Sequence, residues 1–122
     1  MKKVEIMFAK QKELQKKLGY DLDDMNEAER TNYIKENFWY IITEFDEAFR
    51  ELPYGKPWKK YDSFDRVAHK ENLKEELIDA IHFFINVLLA AELSPEEIFE
   101  IYCKKNNVNF KRQEENYGQD EK

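Results

Sequence analysis

Two segments of this chain carry acids spaced for joint chemistry: Glu44 with Glu47, and Glu76 with Asp79. Side chains three apart on a helix project from neighbouring positions on one face, so each pair can aim several oxygens at one point. Two such pairs on facing helices would form an all-oxygen cage, the ligand set that hard divalent cations such as magnesium prefer. That chemistry is metal-assisted reaction at a phosphate. Glu75 precedes Glu76, and an i,i+4 pair of Glu75 with Asp79 would serve almost as well, so the spacing alone leaves that choice open.

The second pair stands in unusual surroundings. Between positions 78 and 91 every residue is apolar except Asp79, His82 and Asn86. At about 100° per residue these three share an arc of roughly 60°. A helix apolar nearly all round is normally buried, and buried carboxylates are retained when they hold a metal or are fully paired. A narrow polar stripe therefore predicts a site. The alternative is an Asp79 paired with a Lys or Arg of another helix and a core His82. In the preceding segment Ile34, Phe38, Ile41, Phe45, Phe49 and Leu52 form an apolar stripe expected to face the core, and Glu44 and Glu47 lie along its flank.

The elements that must position these groups read as four main helices, over about 3–18, 26–52, 65–91 and 94–112. The first carries Val4, Met7, Phe8, Leu14 and Leu18 on one stripe and stops at Gly19. Gln11 and Gln15 fall on the same stripe, either as hydrogen-bonded core amides or as groups reserved for a ligand. Asn26 with Glu29, and Ser94 with Glu97 after Pro95, have the spacing of capping boxes. The linker over 53–63 joins the second and third helices and would turn their acid pairs toward each other. Its Trp58 and Lys59 could pack on the bundle or cover a nucleotide. Late in the fourth helix Lys105, Asn109 and Arg112 replace the apolar face, in a stretch with no acid. They suit phosphates, or merely complement the helix dipole.

Composition excludes several classes. The 122 residues make one domain, expected over 1–113 with a polar tail over 114–122. Three glycines and three prolines among many charged and aromatic residues favour helices over short strands and turns. A net charge of −6 argues against nucleic acid or an anionic membrane as partner. One cysteine, Cys103, allows no internal disulfide and suits a reducing cytosol. With no secretory pattern at the start and no apolar run long enough to span a bilayer, a cytoplasmic protein is expected.

Taken in order, these motifs resemble the all-α nucleoside triphosphate pyrophosphohydrolases, which include the dimeric dUTPases and the MazG-type enzymes. Glu44, Glu47, Glu76 and Asp79 match the family's E-x-x-E and E-x-x-D. The run from Glu76 to Phe83 resembles the dUTPase form, in which the acid pair leads into a His-Phe. Lys105, Asn106, Asn109, Arg112 and Gln113 are similar to a late K-N-x-x-N-x-x-R-Q pattern, and Trp58-Lys59 to an F-W-K loop. Gln11 through Gln15 sits where dimeric dUTPases carry amides that read uracil, with Gln15 in place of the usual Asn. The chain is shorter than many dimeric dUTPases.

The resemblance implies a four-to-five-helix bundle assembled as a homodimer or homotetramer. It implies cleavage between the α- and β-phosphates, turning dUTP into dUMP and pyrophosphate. The four acids would hold roughly two or three Mg²⁺ ions, with Mn²⁺ as a substitute. Gln11, Gln15, Trp58, Lys59, His82, Asn86, Lys105, Asn109 and Arg112 would contact the nucleotide. Related specificities for dCTP, purine deoxynucleotides or a broad range share the same chemistry. A reading of another class is a non-catalytic helical module that binds a protein partner.

Overall fold

The computed structural model describes residues 2–53 and 66–115, with the side chains of 66–68 excepted. Among these residues the regular structure is entirely helical. It comprises α1 (Lys2–Lys17), a 3₁₀ turn (Leu22–Asp24), α2 (Glu27–Arg50), α3 (Arg66–Ala90) and α4 (Pro95–Glu114). The all-α bundle is as expected; the 3₁₀ turn was not anticipated.

Local chemistry sets the helix ends. Asn26 accepts from the Glu29 main-chain N–H, and the Glu29 carboxylate accepts from that of Asn26. Ser94 and Glu97 repeat the arrangement ahead of Pro95. Both boxes satisfy donors that the first turn of a helix leaves without partners. At the end of α1, Gly19 takes φ 100°. Tyr20 N–H then reaches Gln15 O at 2.9 Å and Gly19 N–H reaches Lys16 O at 3.1 Å. That is a Schellman ending, in which glycine avoids the left-handed penalty. The end of α3 is built the same way, with Leu93 N–H on Leu88 O and Glu92 N–H on Leu89 O, but Glu92 carries the positive φ of 63°.

Helices α2 and α3 form the main packed pair and run antiparallel. The register is visible in side-chain partners: Asn37 meets Asn86, Tyr40 stacks near Phe83 with ring centroids 5.2 Å apart, and Glu47 meets Glu76. Each advance along α2 is matched by an equal retreat along α3. Beyond Glu51, its carboxylate pairs with His69 Nδ1 and ties the end of α2 to the start of α3. Helix α1 packs on α3, and α4 rests against α1 after a bend of 97° from α3.

A compact cluster closes one end of the bundle, where Leu22, Tyr33 and Ala90 pack with Met25, Ile34 and Leu89. Arg30 holds this end together by donating to the main-chain oxygens of Ala90 and Leu22, each at 3.0 Å. It thereby satisfies a terminal carbonyl of α3 that the helix itself cannot.

The buried faces differ from the apolar stripes read in the sequence. On α2 the buried residues are Tyr33, Asn37, Ile41 and Ala48, whereas Phe38, Phe45, Phe49 and Leu52 are exposed. On α1 they are Phe8, Gln11 and Gln15, with Met7, Leu14 and Leu18 exposed. Helix α3 is not covered on all sides: Ala80, Ile85, Asn86, Val87 and Ala90 are buried, but Leu77, Ile78, Ile81 and Phe84 are open. Helix α4 buries no residue fully, and Ile101 and Tyr102 of its expected apolar face are exposed. The physical reason is area. One chain cannot cover a wide apolar band on α2 and another on α3 at once, so the antiparallel pair closes on its polar and small residues.

Candidate active site

The face on which α2 and α3 close carries the acids. From Asn37 the buried line on α2 continues through Ile41 to the half-buried Glu44 and on to Ala48, with Glu47 beside it at the surface. On α3 the half-buried Glu76 lies opposite. One carboxylate oxygen from each of Glu44, Glu47 and Glu76 falls within 4.8 Å of the other two. Glu76, rather than Glu75, is the member of the group. Asp79, the fourth expected acid, stands outside this tight set and is exposed, which corrects the expectation of a buried carboxylate. Among the described residues no ion pair holds it, so the alternative of a buried salt bridge finds no support.

Three carboxylates so close together repel, and each is held above the ordinary carboxylate pKa. Burial raises the pKa of Glu44, and the charges of Glu47 and Asp79 add to the shift. Glu47 is raised chiefly by its contact with Glu76, and Glu76 chiefly by its contact with Glu44. The charge of Asp79 raises all three, so it belongs to the same field although it stands off from the group. Glu44 Oε2 and Glu76 Oε2 are buried oxygens without a hydrogen-bond partner. Buried acceptors left unmet cost about 1–3 kcal/mol each, and more when charged. A chain does not keep that arrangement for packing. Oxygen-only donors, a convergent geometry and two unmet buried oxygens fit a hard divalent cation.

The other expected site residues fall into separate places. Gln11, Asn86, Asn37 and the Tyr33 carbonyl are joined in a buried hydrogen-bonded line, and Gln15 accepts from the Tyr33 hydroxyl. His82 lies exposed on α3. Lys105, Asn109 and Arg112 share a groove of about 520 Å³ with Ile101, Lys104 and Val108, and among the described residues its walls come from α4. Among the described residues the lining of this groove includes none of the acids. Trp58 and Lys59 lie outside the described residues.

Sequence reading missed Tyr33, Asn37 and Arg30. The signal for Asn37 was present: like Asn86, it is an amide on a line that also carries Ile41 and Ala48. Arg30 gave no such signal, because its partners are main-chain carbonyls, which carry no mark in a sequence.

Comparison with known proteins agrees with this picture. The dUTPase family matches residues 3–97. A dCTP pyrophosphatase of Enterobacteria phage LZ5 is 30% identical, over 93% of this chain and 82% of its own. A dCTP pyrophosphatase of Enterobacteria phage T4 is 31% identical over 73% of this chain, which spans only 59% of that relative's length. No solved structure matches. The match covers α1, α2, α3 and the three clustered carboxylates, and on it the chain belongs to the dUTPase family, a nucleotide pyrophosphohydrolase of the all-α type.

Proposed function

We propose that the protein is a Mg²⁺-dependent pyrophosphohydrolase of pyrimidine deoxynucleoside triphosphates, converting dUTP into dUMP and pyrophosphate. The observation that carries this reading is the group of Glu44, Glu47 and Glu76, with its two buried unmet oxygens. Glu44, Glu76 and Asp79 would hold the metal together with Glu47. Bound there, the cation would neutralise phosphate charge and make a bound water acidic enough to react near neutral pH. Glu47 is the exposed member of the group, so it is suited to orient that water and take up its proton. Lys105, Asn109 and Arg112 would receive the departing pyrophosphate, with Lys59 from the linker, and Trp58 would lie against the nucleoside.

A second substrate, dCTP, is favoured by a specific observation: both phage relatives are named for it. Gln11 and Gln15 are the groups that would meet the base. The described lining of the basic groove includes none of the acids, and a second copy of the chain would bring the two together. The exposed apolar bands of α2 and α3 provide the contact surface for a homodimer or homotetramer. Supplying Mg²⁺ with each nucleotide and separating the products tests the reaction. Monophosphate with pyrophosphate is expected; release of inorganic phosphate from the triphosphate would refute it.

A further inference from the structure

The buried amide line has a direction that the sequence does not reveal. An amide's oxygen and nitrogen are nearly alike in shape, so its orientation follows from whichever partner cannot be turned round. Here that partner is the main-chain carbonyl of Tyr33, which can only accept. Asn37 must therefore offer it Nδ2, at 2.9 Å. Asn37 Oδ1 is then left facing Asn86 and accepts from its Nδ2 at 2.9 Å. Asn86 Oδ1 in turn accepts from Gln11 Nε2 at 2.8 Å. Each step forces the next. A backbone oxygen on α2 thus decides which end of a side chain on α1 is engaged.

What remains for a ligand follows directly. Gln11 has an N–H committed to Asn86 and keeps its carbonyl oxygen. Gln15 is fixed the opposite way, since its oxygen accepts from the Tyr33 hydroxyl at 2.8 Å, and it keeps its N–H donors. Burial pushes the Tyr33 phenol's pKa well up, so the hydroxyl stays protonated and donating. Gln11 and Gln15 are one helical turn apart, so α1 carries an acceptor beside a donor on one face. A pyrimidine edge offers the complementary pair: a ring N–H beside a carbonyl in uracil, an amino group beside a ring nitrogen in cytosine. The two bases place that pair at different points round the ring. A site whose polarity is fixed can separate them, whereas amides free to flip would accept either.

We infer that Tyr33 and Asn37 are specificity-determining positioning residues, which fix the orientation of Gln15 and, through Asn86, of Gln11, and so choose between pyrimidine bases. The inference rests on the reading above that Gln11 and Gln15 meet the base. Neither Tyr33 nor Asn37 touches substrate in it.

The test compares kcat and KM for dUTP and dCTP in the full-length protein. Tyr33→Phe keeps the ring and the backbone carbonyl and removes the hydroxyl that fixes Gln15. Asn37→Leu roughly keeps the volume but removes both the N–H that the Tyr33 carbonyl receives and the oxygen to which Asn86 donates, so that Asn86 and Gln11 are free to turn. Losing one fixed hydrogen-bonding group is expected to raise KM for the preferred nucleotide about tenfold, leave kcat within about twofold, and shrink the dUTP-to-dCTP preference about tenfold. A merely structural relay would lower the melting temperature and leave the preference at its wild-type value, and that result overturns the inference. A wild type indifferent to the two bases overturns it equally. A wild type that hydrolyses neither nucleotide refutes the underlying reading first, before any variant is made. Should Asn37→Leu fail to fold, Tyr33→Phe decides alone.

Discussion

Single residues in this site trade stability against function. Glu44, Glu47 and Glu76 repel one another when no cation lies between them, and each holds its proton more tightly than an ordinary carboxyl. The folded chain then binds more protons than the unfolded one across the carboxylate range, so the metal-free protein loses stability as pH rises through that range toward neutrality. Mg²⁺ bound between the acids, as proposed, should restore it and raise the melting temperature by mass action. Glu44→Gln carries this furthest. It removes one of the crowded charges without changing shape, so the metal-free variant should melt above the wild type while its turnover is lost. A variant that melts lower would mean that Glu44 is held by a favourable contact. Asp79→Asn, at an exposed position, should change stability by no more than about 0.5 kcal/mol and still cut turnover sharply. Calorimetry beside a pyrophosphate assay reads both effects.

At the scale of elements, the helix ends were legible and the helix faces were not. Asn26 with Glu29, Ser94 with Glu97, and Gly19 act through main-chain groups a few residues away, so a short window of sequence contains all their physics. The two endings with left-handed residues give a paired prediction. A Cβ added at Gly19 would meet nothing within 4 Å, so Gly19→Ala should cost only the backbone penalty, about 1–2 kcal/mol. Glu92→Gly should gain about 1 kcal/mol by removing the same penalty, since the Arg30 contact it gives up is 3.6 Å long and its carboxylate is exposed. Denaturant midpoints of the two variants should therefore move in opposite directions. Faces are a different matter. Of the apolar stripe from Phe38 to Leu52 the helix buries only Ile41, and beside it Tyr33, Asn37 and Ala48. Periodicity shows which residues share a line but not which neighbour a line will find. The polar line won because Asn37 and Asn86 satisfy each other across the pair, and Glu44 and Glu76 came together with them. For the site itself, E-x-x-E and E-x-x-D were visible as spacing. Which three of the four acids would converge depended on the α2–α3 register, a property of two helices together.

Over the whole molecule, many large apolar side chains among the described residues stand open to solvent. Trp39 is 69% exposed, Phe45 57% and Ile78 51%, and they are only part of a set spread over α2, α3 and α4. Patches on this scale mark surfaces that other molecules cover. Sedimentation equilibrium at micromolar concentration should therefore find a dimer or larger assembly, and Phe45→Glu, a charge in the α2 band, should shift it toward monomer. If the acids of one chain and the basic groove of another make one site, that monomer should also lose activity. A monomeric Phe45→Glu with full activity would mean that each chain contains a complete site. If the acid group hydrolyses a nucleoside triphosphate at the α–β linkage with a divalent cation, the products will show it. With dUTP or dCTP and Mg²⁺, the protein should yield the monophosphate and pyrophosphate in equal amounts, and the Glu47→Gln variant or excess chelator should abolish both. Inorganic phosphate as the product, or undiminished turnover in Glu47→Gln or in chelator, would contradict the account.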